Sequence, residues 1–315
     1  MEKNYLLQRA VDYPAVGEKH TSSRSSRFVG ALIAVLIALP ALVFAAGEGE
    51  MFIDNGKIRL GVDLASGGSV FYLSESVPRR NLLNGFDRGR FIQQSYYGDS
   101  DGSRLGEREW RWNPVQGGDY KGLAAGLIEH TSTSETLYTK STPKHWATVT
   151  DIDEAVMEQW IALMGDVVHI RFKFSYAGDS DHQPRHQEMP AVFVDYDLAN
   201  LMFYRGQTPW TNGELTSKVP QWPNEYEGRD EHWAAYVDDG RWGIGVYTPG
   251  TREMTCYRYR GTKGPDGSGC SYFAPIKTLA ITSETEIDYE VYLTIGQIAD
   301  IRSRFYQIHS ASQPE

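Results

Sequence analysis

After residue 50 the hydrophobic residues recur mainly at every second position, the period of a strand with one buried face. Ile58, Leu60, Val62 and Leu64 alternate with polar or small residues. Ser66-Gly67-Gly68 then supplies a turn, and Val70, Tyr72 and Leu73 return, which predicts a β-hairpin. The clearest strand sets Val168, Ile170, Phe172, Phe174 and Tyr176 on one face against His169, Arg171, Lys173 and Ser175 on the other. Met164-Gly165-Asp166 joins it to an earlier strand over Met157 to Leu163. Trp233, Ala235 and Val237 precede the turn Asp238-Asp239-Gly240, and Trp242, Ile244 and Val246 alternate again after it. Ile287, Tyr289, Val291, Leu293 and Ile295 form a late strand. Only Gln297 to His309 has helical spacing, through Ile298, Ile301, Arg302 and Phe305. The expectation is an all-β fold, an antiparallel β-sandwich with a short C-terminal helix.

Three long segments break the alternation, roughly Gly98 to Lys121, Asp179 to Pro190 and Arg205 to Asp230. Loops of that length in a compact domain tend to be functional or disordered, and their aromatic content argues against disorder.

The first residues carry a different pattern. Lys19, Arg24 and Arg27 lead into an uncharged run from Phe28 to Gly47, closed by the small residues Ala45, Ala46 and Gly47. A basic region followed by an apolar one is an export signal, so residues 1–46 are expected to be a signal peptide or an uncleaved membrane anchor, with one β-sandwich domain over 47–315. The formal charge is −10, and removing Met1 to Ala45, with its five basic and three acidic residues, makes it −12. Neither a sulfated glycan nor a nucleic acid is expected as a partner in bulk for so acidic a chain, although a local basic pocket could hold an anionic ligand, and the membrane enters only through the N-terminal segment if it stays attached. The chain has two cysteines, Cys256 and Cys270, on either side of a Gly-rich stretch. An oxidising compartment favours a disulfide between them, the alternative being two unrelated thiols.

Candidate chemistry lies in polar, aromatic clusters. In a strand over Asp87 to Gly98, Arg90, Gln94 and Tyr96 would share one face while Gln93, Ser95 and Tyr97 share the other. Planar donors beside phenol rings suit a sugar, which has both hydroxyls and C–H faces. In Trp110 to Tyr120, Gly117-Gly118 permits a tight turn that would present Gln116 and Asp119 at a loop tip; Asp119 is an acid/base candidate or a turn former. Trp210, Trp222 and Glu231-His232-Trp233 add indoles and a second carboxylate, with a rim salt bridge as the alternative role for Glu231. The irregular spacing of His182, His186 and Glu188, with Asp179 and Asp181 nearby, reads as a solvated acidic loop rather than a metal site. No metal or cofactor is implied.

The hairpin from Gly61-Val62-Asp63-Leu64 to Gly67-Gly68-Ser69-Val70, the Asn84 to Gln94 segment with Asp87-Arg88-Gly89-Arg90, and the late strands ending at Leu293 resemble secreted carbohydrate-active proteins. The likeness is to the galactose-mutarotase-like supersandwich of several glycoside hydrolases and polysaccharide lyases, over roughly Met51 to Ile295. It implies an architecture and a carbohydrate ligand or substrate. The leading expectation is an exported glycoside hydrolase with Asp119 and Glu231 as its carboxyl pair. Arg90, Gln93, Gln94, Tyr96, Gln116, Trp210 and Trp233 are the binding candidates, with Tyr97 as a sugar platform. A polysaccharide lyase, with Tyr97 as base, is the near alternative. A non-catalytic carbohydrate-binding or envelope structural protein is the alternative of another class.

Overall fold

The computed structural model describes residues 49–312; the export segment and its cleavage lie outside them. Two antiparallel sheets carry the fold. The first has ten strands, in the order Glu50–Asp54, Ile58–Asp63, Ser69–Glu75, Ile92–Ser95, His182–Asp195, Cys270–Ile281, Glu253–Tyr259, Glu225–Gly228. Pro114–Val115 and Lys144–His145 branch from its Ile92 strand. The second has nine, in the order Thr216–Lys218, Asn200–Phe203, Trp233–Val237, Trp242–Tyr247, Thr285–Gln297, Val167–Tyr176, Ala155–Met164, Thr136–Thr142, Gly126–Ser132.

The period-two pattern explains the packing. Leu60, Val62, Val70, Val192, Val194 and Phe273 of the first sheet meet Ile161, Val168, Ile170, Phe172, Phe174, Val291 and Leu293 of the second in one core. Each such side chain removed from water stabilises the fold by about 1.5–3 kcal/mol. The helix Ile298–Ala311 lies on the outer face of the second sheet, where Ile298, Ile301 and Phe305 cover Trp233, Ala235, Val237 and Tyr247.

Two expectations are corrected. The stretch Asp179 to Pro190, expected to be irregular, contributes to His182–Asp195, a fourteen-residue strand near the middle of the first sheet. Pro184, Pro190 and two register shifts, His182/Arg185 and Glu188/Val192, hide its alternation. The expected disulfide is absent, and Cys256 and Cys270 are buried free thiols. They sit on adjacent strands but out of register: Cys256 faces Phe273, and Cys270 faces Tyr259. That offset of three residues separates them by roughly 10 Å along the strands, beyond disulfide reach.

Candidate functional site

Most of the polar residues singled out from sequence are interior struts. Gln93, Gln94 and Gln116 are fully buried and bonded to their surroundings. The Gln93 side chain accepts from Gly117 N at 2.6 Å and donates to Arg88 O at 3.0 Å. Gln94 donates to Glu158 O at 3.1 Å and accepts from Tyr96 Oη at 3.0 Å. Gln116 donates to Gly67 O at 3.2 Å and accepts from Gln94 N at 3.2 Å. Tyr96 lies in the core against Phe174, with ring centroids 4.4 Å apart.

The structure does not bring Asp119 and Glu231 together as a catalytic pair. Asp119 is buried beside the branch strands, where Oδ1 accepts from Lys121 N at 2.8 Å and Leu123 N at 3.0 Å. Those bonds close a turn, the alternative role foreseen for it. Glu231 is buried beneath the C-terminal helix, at the other sheet. Its carboxylate accepts from Trp210 N at 2.9 Å, Trp233 Nε1 at 2.9 Å, Arg302 at 2.9 Å and Tyr306 Oη at 2.6 Å. Four donors leave it no room for a substrate oxygen. Trp210 stacks on His309 with centroids 3.7 Å apart, and Trp233 is completely buried, so neither indole is an open sugar platform.

A different carboxylate, Glu188, stands where chemistry is possible. The first sheet carries one extra residue in its long strand between Glu188 and Val192 relative to both neighbours. Met189 and Val192 point into the core, while Ala191 and Phe193 belong to an outer cluster with Tyr272, Ala274, Ile276 and Tyr257. In a regular strand Glu188 would share the inward parity of Val192; the bulge turns it outward. Pro190, which has no N–H to give a ladder, sits within the bulge.

On that outer face Glu188 is recessed among tyrosines. Its Oε1 accepts from Tyr97 Oη at 3.2 Å and from Tyr272 Oη. Burial pushes the Glu188 carboxyl up from the ordinary glutamate range, against the lowering effect of bonds from Tyr272, Ser95 and Tyr97. Burial and then the Glu188 charge hold the Tyr97 phenol far above its usual value. Tyr272 is raised in the same way, so both phenols remain donors at neutral pH.

Aromatic rings line the rest. Tyr272 stacks on Tyr257 at 4.4 Å and packs against Phe193 at 4.7 Å. The Arg90 guanidinium is at the rim, 5.8 Å from the Phe193 ring centre, held by Asn84 Oδ1 at 2.6 Å and Asp87 at 3.3 Å. His186, two residues before Glu188, lies on the same face, its Nδ1 3.2 Å from Thr278 Oγ1. Its ring meets that of Tyr226 at 5.7 Å, although two strands lie between theirs, so the face is concave. Glu253 also belongs here. It faces Ile276 on one side as Glu188 does on the other, which puts the two glutamate Cα atoms roughly 10 Å apart, two strand spacings.

Among known structures a similar fold occurs in a galactose mutarotase-like protein from Lactobacillus casei. The TM-score is 0.52 at 11% identity, over 78% of this chain and all of that one, 100%. The fold is the galactose-mutarotase-like supersandwich. A galactose mutarotase related enzyme from Lactobacillus acidophilus matches with a TM-score of 0.50 at 8% identity, over 78% of this chain and 97% of its own. At such identities the mutarotase-like likeness is one of fold. No protein-family model and no curated protein matches the sequence.

Sequence reasoning singled out Tyr97 and Arg90 but missed Glu188, Glu253, Tyr257 and Tyr272 as a group. In sequence Glu188 reads only as part of a solvated acidic loop. The available signal was the alternation Glu253, Thr255, Tyr257, Tyr259, which puts a carboxylate and two phenols on one face of a strand.

Proposed function

We propose that this protein is an exported glycan-active enzyme, a glycoside hydrolase in which Glu188 donates a proton to the leaving sugar oxygen. The observation that carries the reading is a carboxyl with a raised pKa, recessed among phenols on the concave outer face of the first sheet. A carboxyl that holds its proton more tightly than an exposed one is the acid such a reaction needs, and the partly exposed Phe193 and Tyr257 rings offer apolar surface to sugar C–H faces. Hydrolysis also needs a group to activate water or attack the anomeric carbon. Glu253 is the residue available for that role: it is exposed, on the same face, and separated from Glu188 only by Ile276. An inverting reaction would require the two carboxyl groups to lie about 6.5–9.5 Å apart, with room for a water between them. Export is proposed from the basic and apolar N-terminal pattern.

His186 supports a second reading, interconversion of anomers, since a histidine and a glutamate on one face can pass a proton between the anomeric hydroxyl and the ring oxygen. The galactose mutarotase-like likeness agrees with it. Elimination draws less support, because the Tyr97 phenol is held protonated.

Incubating the purified protein with a panel of polysaccharides and free aldoses separates the three reactions. Release of reducing ends, lost by about 10²-fold in Glu253→Gln, is expected for hydrolysis. Change of optical rotation without new reducing ends would move the assignment to anomer interconversion. Ultraviolet absorbance from an unsaturated product would move it to elimination.

A further inference from the structure

Beside the Glu188 centre a groove of about 550 Å³ runs along the end of the first sheet, lined by Tyr196, Trp222, Arg258, Tyr259, Arg260 and the 219–221 loop. It exists because the edge strand Glu225–Gly228 pairs only with Glu253 to Cys256, leaving the Tyr257 to Tyr259 end of its neighbour uncovered. Three large apolar side chains open to solvent meet there: Trp222 is 59% exposed, Val219 44% and Tyr259 41%. A contiguous apolar patch rimmed by charge marks a binding surface.

The charge is one-sided. The groove lining holds two arginines and no acidic residue, in a chain whose formal charge is −10. Arg258 lies over the Tyr196 ring at 3.7 Å and is fixed by Tyr196 O at 2.6 Å and Ser271 Oγ at 2.9 Å. Arg260 is exposed, with no carboxylate partner among the described residues. A fixed guanidinium and an open one suit a carboxylate or sulfate, which arginine recognises through paired donors.

The groove is continuous with the centre through touching rings. Trp222 meets Tyr259 at 5.3 Å and Tyr257 at 4.9 Å, Tyr257 stacks on Tyr272 at 4.4 Å, and the Tyr272 hydroxyl donates to Glu188. We propose that this groove is a subsite for an anionic sugar unit, and that the substrate is therefore an acidic polysaccharide which spans from Glu188 to Arg260. The identification as substrate rests on the glycan-active reading above; the subsite and its preference for anions rest on the groove itself.

The test measures binding by the full-length protein to dextran, dextran sulfate and polygalacturonate, with turnover of each followed alongside. Dextran sulfate or polygalacturonate is expected to bind at least about tenfold more tightly than dextran, a difference worth about 1.4 kcal/mol, and whichever binds better names the anion. That preference should shrink in molar salt, where the screening length falls to ~3 Å. Arg260→Ala and Trp222→Ala, both at exposed positions, should each weaken the acidic probe about fivefold or more, as loss of a central arginine or tryptophan contact does. Dextran binding as tightly as the acidic probes, no probe binding, or both variants binding like the parent would each overturn the subsite. Groove-dependent binding without Glu188-dependent turnover would sustain the subsite and remove the enzymatic reading. Glu188-dependent turnover of a neutral glycan, unaffected by either groove variant, would do the reverse.

Discussion

Two glutamates show how differently one side chain can be used. Glu231 has four donors, one of them a buried arginine, and anchors the C-terminal helix to the second sheet. Removing one partner of such a buried pair leaves the other charge uncompensated, so Glu231→Ala should lower the free energy of unfolding by about 3–5 kcal/mol in a urea titration. The kinetics of the protein that remains folded should be unchanged. Glu188 is the converse case, since its folded carboxyl holds a proton more tightly than an exposed one. A carboxyl raised on folding binds more protons in the native state, so its contribution to stability is present at low pH and lost as the pH rises through the folded value. Glu188→Gln removes that loss. The variant should melt above the parent at neutral pH, with the gap closing towards acid; a variant that melts lower at neutral pH would count against the raised carboxyl. The Glu188 environment was hidden from sequence because the tyrosines that create it, Tyr97, Tyr257 and Tyr272, come from three separate strand regions.

At the scale of elements, hairpins were legible and the central strand was not. Ala155–Met164 with Val167–Tyr176, and Trp233–Val237 with Trp242–Tyr247, keep unbroken register, so every inward residue announces itself by parity. His182–Asp195 crosses two register shifts, and each exchanges inward for outward residues, so its pattern reads as noise. The same bulge that hid the strand exposes Glu188. Register also decides the cysteines. With Cys256 opposite Phe273 and Cys270 opposite Tyr259, thiol titration of the denatured, unreduced protein should find two free groups, and finding none would show that this register is wrong. The helix was legible because Ile298, Ile301 and Phe305 recur at its period, and they are the residues that pack on the sheet. Phe305→Ala should cost about 3–5 kcal/mol, measured by denaturation, because it opens a cavity beneath the helix.

At the scale of the whole molecule, the three long segments part ways: Gln116 and Asp119 of the first are struts and turn formers, the second enters the strand that carries Glu188, and the third brings Trp222 to the groove. Arg90, Tyr97, Glu188, Glu253 and Tyr272 are distant in sequence and are gathered because their regions are neighbours in the first sheet. Alternation along one strand says which residues share its face, but not which strands lie side by side, and that order was the missing information. Curvature adds the rest: the contact of His186 with Tyr226 over two intervening strands turns a sheet face into a recess. If Glu188 is the acid in that recess, activity should decline as the pH rises through its raised pKa, because the proton to be donated is lost. The most direct test is turnover of the parent and of Glu188→Gln on the same glycan across that pH range, with folding checked by circular dichroism. A folded Glu188→Gln protein slower by at least about 10²-fold, without the parent's alkaline decline, is expected. A folded Glu188→Gln protein that turns over at the parental rate, with the same pH profile, would contradict the assignment of Glu188 as the proton donor.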